Sequence, residues 1–328
     1  MFWGRMALGL ILAAGAVFAL GPRERAVLGP VLGAVPVALP DTPGEWLAQR
    51  EQGIRAEVAS YLQWAERPGQ QADIAIIYVH GFSASPAELR PLPEDLARQL
   101  GANLLAVRLT GHGQDGRDLA QARAQDWWRD LAQALSYGRQ MGRKVVVLGM
   151  STGATLVAEA ARDPQLSAQF DAAILLSPNF RMRNKWAWAL RLPWMRQVLS
   201  AIGQPERCFE PRNDLHAARW TSCYPISATL PVAALNARSL RGDFTKAKVP
   251  ALFVWAEKDR VVDHGVTGRI AMIWGREVQT LIVEPGPLDD PAGHVIAGDA
   301  LSPAMNVTLM QAMSDWIGKT LGQNVKEK

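Results

Sequence analysis

Ser151 lies in Gly149-Met150-Ser151-Thr152-Gly153, between the apolar run at residues 144–148 and a stretch of helical spacing at 154–162. A serine where a strand passes through a sharp turn into a helix can stand clear of the sheet edge and present its hydroxyl as a nucleophile. The flanking glycines are expected to let the backbone enter that strained turn without a Cβ clash. The pattern alone arises by chance in about one chain in ten of this length, so its weight comes from the strand before it and the helix after it. A serine hydroxyl is inert at neutral pH without a base, and a histidine base needs a carboxylate to fix its tautomer.

Both partners can be read from the remaining sequence. Residues 251–255 read as a strand, and Ala256-Glu257-Lys258-Asp259 after it places Asp259 on the loop at the strand's end as the acid. Glu257 and Asp263 compete for that role but read better as surface or helix-capping groups. His294, in Gly293-His294-Val295-Ile296 ahead of a closing helix near 303–321, is the base. The other histidines fit worse: His80 belongs to a turn, His112 lies upstream, His216 sits in an inserted segment, and His264 is too close to the acid's own loop. After the strand at 74–79 comes His80-Gly81-Phe82-Ser83, where a glycine allows a turn that aims the next N–H at the nucleophile. The amides of Phe82 and Thr152 are the expected oxyanion donors, with His80, Gly81, Gly149 and Gly153 as supporting turn residues. The chemistry implied is acyl transfer through an acyl-enzyme, for which no metal or organic cofactor is needed.

These residues need a scaffold that brings three loops to one edge. Residues 74–79, 103–109, 144–148, 172–176, 251–255 and 278–283 are short and nearly continuously apolar, as strands covered on both faces by helices are. Helical spacing occupies 42–65, 87–100, 119–141 and 154–162, so the fold class expected is α/β, a doubly wound, mostly parallel sheet. The alternation stops between 179 and 248, which reads as an inserted cap. The divisions expected are a signal peptide or membrane anchor at 1–22, linker and N-terminal helix at 23–70, a catalytic domain at 71–180 and 247–322, and the cap at 181–246. Gly111-His112-Gly113-Gln114-Asp115-Gly116 is formally a dinucleotide fingerprint; it is discounted because the continuation is loop-like and no helix is expected to start at the third glycine.

Taken together, His80-Gly81-Phe82, Gly111-His112-Gly113, Gly149-Met150-Ser151-Thr152-Gly153, Lys258-Asp259 and Gly293-His294-Val295-Ile296 resemble, in order, the motifs of the α/β-hydrolase superfamily. Within it the chain is similar to the carboxylesterase and monoacylglycerol lipase-like group, which includes serine aminopeptidase-like members. The resemblance covers residues 73–321 outside the cap. It implies Ser151 as nucleophile, Asp259 and His294 as its partners, and Phe82 and Thr152 as oxyanion donors. It does not extend to the cap, which sets substrate choice in that family.

Composition narrows the partners. Of 328 residues, 48% are hydrophobic, enough for a large core, and 35 basic against 31 acidic side chains leave a net charge of only +4. There is no basic tail or stripe, so no nucleic-acid partner is expected. Residues 6–20 form an uncharged apolar run after a basic start, a targeting segment read as a signal-anchor ahead of a cleaved signal. That gives an inner-membrane-anchored, periplasmic or secreted location. Cys208 and Cys223 could bridge in an oxidising compartment, with two buried free thiols as the alternative. Arg181, Arg183, Lys185, Arg191 and Arg196 interleave with Trp186, Trp188 and Trp194 as in a membrane-facing lid. The alternative favoured is that these tryptophans line the acyl pocket or pack onto the sheet. The substrate expected is a small acyl ester, lipid-like monoesters first; the rivals are a peptidase or amidase on short peptides, and a non-catalytic envelope binding protein.

Overall fold

The computed structural model describes residues 15–29 and 39–322. In chain order the elements are α1 (Pro43–Arg50), β1 (Tyr61–Gln63), β2 (Ala72–Val79), α2 (Leu92–Leu100), β3 (Asn103–Val107), α3 (Gly116–Gln121) and α4 (Ala124–Met141). They continue with β4 (Gly142–Met150), α5 (Thr152–Arg162), β5 (Ala172–Leu176), α6 (Met195–Ala201), β6 (Glu206–Cys208), α7 (Asp214–Arg219), β7 (Cys223–Pro225) and α8 (Leu230–Ser239). The chain closes with β8 (Ala251–Ala256), α9 (His264–Met272), β9 (Val278–Val283) and α10 (Asn306–Leu321).

Seven strands make one sheet in the order β1-β3-β2-β4-β5-β8-β9. Every neighbouring pair is parallel except β1 with β3. Parallel strands need crossovers, and the helices that supply them bury both faces. On one face Trp127, Leu131 and Leu135 of α4 and Leu156 and Val157 of α5 share a core with Ile77, Val147 and Phe253; Leu235 of α8 joins the same cluster. On the other, Leu92 and Leu96 of α2 and Met313 and Ile317 of α10 cover Ile76, Leu148, Ile174 and Val254. The register sets the site: Val79 lies opposite Gly149, Met150 opposite Leu176, and Leu176 opposite Val254. The loops leaving β2, β4, β5 and β8 therefore open at one carboxyl edge, the usual place for ligands in such sheets.

The local readings need several corrections. The helix expected over 42–65 is limited to α1, because Gly53 adopts φ 75° and the chain turns back. Residues 61–63 are instead the antiparallel edge strand β1, paired Leu62 to Leu105. The helix expected over 119–141 is two helices, with Ala122 and Arg123 extended between them. β9 is not covered on both faces, since as an edge strand it leaves Gln279, Thr280 and Ile282 exposed.

A helix does begin at Gly116, against the reason given for discounting the glycine pattern there. It runs only six residues, and the Asp115 carboxylate already accepts from the Arg117 and Asp118 amides. A side chain at Gly116 would strike the Cys223 carbonyl and the Tyr224 backbone, so this glycine serves the packing of α3 against β7.

Most of the N-terminal run read as signal or anchor falls outside the described residues. Among those described, residues 15–19 are helical and no helix is long and apolar enough to cross a membrane. The described parts of the linker lie against α4: Trp128 Nε1 donates to the Gly29 carbonyl at 3.1 Å and the Tyr137 hydroxyl to that of Pro40 at 2.8 Å.

Candidate active site

Ser151 stands between β4 and α5 with φ 53° and ψ −113°, a conformation that L-residues rarely adopt. It is pinned there: its N–H donates to the Leu176 carbonyl at 2.9 Å, and its own carbonyl accepts from the Thr155 and Asn179 amides. The flanking glycines serve a different purpose from the one expected. Neither takes a positive φ; the strain sits on the serine itself. A Cβ on Gly149 would come within 2.6 Å of the Ala154 Cα, and one on Gly153 would run into the Val79 and His80 carbonyls. The glycines let α5 press against the ends of β2 and β4, holding Ser151 at the edge.

His294 arrives on the loop after β9. Its Nε2 is 2.9 Å from Ser151 Oγ and its Nδ1 is 2.8 Å from Asp259 Oδ2. A carboxylate only accepts, so Nδ1 carries the proton in the neutral ring and Nε2 is left to accept from the serine. Asp259 is fully buried on the loop after β8, where its other oxygen accepts from the Val261 and Val262 amides at 2.7 and 2.9 Å. Burial alone would lower the His294 pKa. The Asp259 charge and hydrogen bond, backed by the Asp290 and Glu88 charges, outweigh burial and raise it above the ordinary value.

The competing groups are placed elsewhere. Asp263 caps α9 and pairs with Arg181, and Glu257 is exposed. His216 is buried beside Phe209 and Trp220, accepting the Arg212 amide. His264 begins α9.

The turn after β2 faces the serine. Gly81 is so close that an added Cβ would meet Ser151 Cβ at 3.3 Å and Glu88 Oε1 at 2.8 Å. His80 fixes the turn from behind. Its Nε2 accepts the Leu109 amide at 3.0 Å, which forces the proton onto Nδ1, and Nδ1 donates to the Gly81 carbonyl at 2.8 Å. Burial drives the His80 pKa well below the imidazole range, so the ring stays neutral. His112, lowered to about 4 by burial, packs edge-on against His80 and Phe82. Thr152 is the first residue of α5, so its amide is one that no helix satisfies internally. Neither that amide nor the Phe82 amide donates to a protein acceptor among the described residues.

Two carboxylates missed by sequence reasoning complete the shell. Asp290 accepts from the amides of Ala292, His294 and Val295, all at 3.0 Å, and so holds the histidine loop. Its signal was a carboxylate four residues before the histidine. Glu88 is buried beneath the turn, where Oε2 accepts from the Gly81 amide at 2.7 Å and the Tyr78 hydroxyl at 3.0 Å. Burial pushes its pKa to about 7, against the two hydrogen bonds and the proximity of His294, which act to lower it. Glu88 is one of two glutamates in the helical-looking stretch 87–100, and nothing in the sequence sets it apart.

The inserted segment roofs the site. Cys208 and Cys223 face each other across β6 and β7 and are disulfide-bonded, not buried free thiols. The Thr221 amide donates to the Ser83 carbonyl at 2.7 Å, and Tyr224 meets Phe82 edge-on at 5.3 Å. Under this cover Ser151 is 6% exposed. The favoured placement fails for two of the three tryptophans at 186–194: Trp186 and Trp188 are 64% and 55% exposed and belong to neither buried cluster on the sheet.

A doubly wound sheet with a strained serine, a histidine and a buried aspartate in hydrogen-bonded sequence at its carboxyl edge defines the α/β-hydrolase class. The chain belongs to the alpha/beta hydrolase family, whose model matches residues 76–302. Among sequence relatives, it is 30% identical over 87 residues to a thermostable monoacylglycerol lipase of Bacillus sp. strain H-257, covering 26% of this chain and 34% of that protein. It is 28% identical over 82 residues to a carboxylesterase of Bacillus subtilis strain 168, covering 25% and 33%. The matched stretch thus spans about a third of each relative's length. The fold is shared with a solved structure from work on the metagenome-derived lipolytic enzymes LipS and LipT, at TM-score 0.64 and 21% identity over 81% of this chain and 99% of that one. It is also shared with a soluble variant of the monoglyceride lipase of Saccharomyces cerevisiae, at TM-score 0.58 and 12% identity over 80% and 91%.

Proposed function

We propose that this protein is a serine hydrolase that cleaves carboxylic esters through an acyl-enzyme, with lipid-like monoesters or short to medium acyl esters as substrates. The observation that carries the reading is the relay from Ser151 Oγ to His294 Nε2 at 2.9 Å and from His294 Nδ1 to Asp259 at 2.8 Å. His294 takes the hydroxyl proton as Ser151 Oγ forms a bond to the ester carbonyl carbon, and the carbonyl π pair moves to oxygen. The Phe82 and Thr152 amides hold that oxyanion; losing one such donor costs about 10²–10³ in rate. As the C–O bond to the alcohol breaks, His294 returns the proton to the leaving oxygen. It next deprotonates a water that attacks the acyl carbon, and the serine leaves with the proton.

Two relatives named as a monoacylglycerol lipase and a carboxylesterase support the ester reading. The bonded Cys208–Cys223 pair supports an oxidising location in the cell envelope or outside the cell, since reducing compartments keep such thiols open.

The test is hydrolysis of nitrophenyl esters from acetyl to palmitoyl by the full chain and by Ser151→Ala, with peptide amides in parallel. Esters should be cleaved, with roughly 10⁴–10⁶ of turnover lost in the variant. Equal rates for the two proteins would remove the serine mechanism, and cleavage of the amides alone would replace the ester reading with a peptidase.

A further inference from the structure

The inserted segment and the described N-terminal residues meet to form one face, and nothing in the proposed ester chemistry uses it. Trp194 joins the two parts: its amide donates to the Pro22 carbonyl at 2.8 Å, its Nε1 donates to the Val17 carbonyl at 3.2 Å, and its ring lies against Gly21. Arg196 pairs with Glu24 at 2.8 Å beside it. Large apolar side chains protrude around this junction. Leu20 is 86% exposed, Trp186 64% and Trp188 55%, with Val17, Phe18, Val198 and Ile202 also outward.

Cations line two cavities that adjoin Trp188 and residues 23–28. One cavity of about 350 Å³ lies between residues 181–191 and α8, and a second lies between residues 23–28 and the same helix; Arg191 is a wall of both. Arg181, Arg183, Lys185, Arg191, Arg23, Arg25, Arg238 and Arg241 therefore form a continuous band. The carboxylates in its walls, Asp263 and Glu24, are already engaged by arginines, Asp263 by Arg181 and Glu24 by Arg196 and Arg123. Arg25, Lys185, Arg191 and Arg241 have no carboxylate partner among the described residues.

We infer that this face docks on a lipid bilayer that carries anionic headgroups. Separate apolar side chains set among arginines and lysines match the headgroup layer, where amphipathic rings sit with one edge wet and cations meet lipid phosphates. The residues that precede Gly15 in sequence, from Met6 to Ala14, are uncharged and apolar apart from glycine. The face also adjoins the site. The Arg183 guanidinium donates to the Asp259 carbonyl at 2.7 Å, and Met182 bridges to Val262. A bilayer held here would lie beside the loop that carries the acid. Vesicle binding is measured without turnover, so its outcome is independent of the ester-hydrolase reading.

The experiment uses the full chain with Ser151→Ala, which leaves vesicle lipids intact. Sedimentation is measured with phosphatidylcholine vesicles and with vesicles containing phosphatidylglycerol. The phosphatidylglycerol vesicles should bind more tightly, with an affinity that falls as salt rises. In the same chain, Trp186→Ala with Trp188→Ala, and separately Arg191→Glu with Arg241→Glu, should each lower affinity roughly tenfold or more. With Ser151 restored, both pairs should hydrolyse a soluble short-chain nitrophenyl ester at the parent rate, showing that they are folded. Parent-like vesicle binding by both pairs would overturn the inference and leave residues 6–20 as the sole attachment. It would equally be overturned by no preference for phosphatidylglycerol, or by a stable dimer in solution that both pairs dissolve.

Discussion

Glu88→Gln separates the charge of the buried carboxylate from its shape. The folded protein holds this group at a pKa of about 7 against an ordinary 4.5, chiefly because burial disfavours the ionised form. The sign is opposite to that of a salt-bridged acid. Below pH 4.5 the group is neutral whether the chain is folded or not, and no pH-dependent stability rides on it. Above pH 7 it is ionised in both states, and the folded state carries the burial penalty. At about 1.4 kcal/mol per pH unit, the gap from 4.5 to about 7 makes that penalty about 3 kcal/mol, most of it incurred between pH 5 and 7. Glutamine keeps an oxygen for the Gly81 and Tyr78 donors, and whatever its amide costs is the same at every pH. The stability of Glu88→Gln minus that of the wild type should therefore rise by about 2–3 kcal/mol from pH 5 to pH 8, or roughly 5 °C in melting temperature. His294 and Tyr78 face the same carboxylate but are present in both proteins, so to first order they cancel. Urea and thermal unfolding at four pH values read the difference directly. Parallel curves for the two proteins across this range would refute the reasoning and make Glu88 an ordinary ionised acid.

Three further outcomes follow from the site. Because Asp259 raises the His294 pKa and the base must be neutral, wild-type activity should rise with pH through a midpoint above the ordinary imidazole value. Asp259→Asn should lower that midpoint and cut kcat by about 10³–10⁴; an unmoved midpoint in the pH–rate profile would show that the carboxylate charge does not reach the ring. Gly153→Ala forces a methyl into the Val79 and His80 carbonyls and should destabilise by roughly 2–4 kcal/mol, whereas Gly268→Ala, in open space on α9, should stabilise by about 1 kcal/mol. Equal melting temperatures for those two variants would deny the close approach of α5 to β2. Opening the Cys208–Cys223 bond, which closes a separation of 15 residues, should release up to about 3 kcal/mol in the β6–β7 hairpin and raise KM, because Thr221 and Tyr224 roof the turn at Ser83 and Phe82. Identical KM values with and without reductant would separate the hairpin from substrate entry.

What the sequence made legible were features that repeat or that occupy fixed places in chain order. Five buried strands read as apolar runs because helices cover both of their faces, and serine and aspartate stand at the ends of two of them, while the histidine follows the edge strand β9. The edge strands show where that logic stops. Residues 61–63 form only three ladder positions, and their neighbours carry enough helical spacing to mask them, while β9 kept an apolar composition although one face meets water. Glu88 and Asp290 were hidden for a different reason. Asp290 acts on backbone amides, which any sequence supplies, and Glu88 on the Gly81 amide and the hydroxyl of Tyr78, a tyrosine that reads only as part of an apolar strand.

The cap tryptophans failed by a third route. Composition gives a residue's appetite for apolar surroundings but not whether the fold supplies them, and here it leaves Trp186 and Trp188 outside. The glycines of the serine turn join these cases, since spacing identified the motif while the structure changed its reason. Positive φ falls on Ser151, and Gly149 and Gly153 are glycine because two elements touch there. A motif of this kind records how closely a helix must pack behind the nucleophile. A substitution that forces α5 away from β2, as a side chain at Gly153 would, should therefore displace Ser151 from His294 and lower turnover without touching any of the three polar side chains.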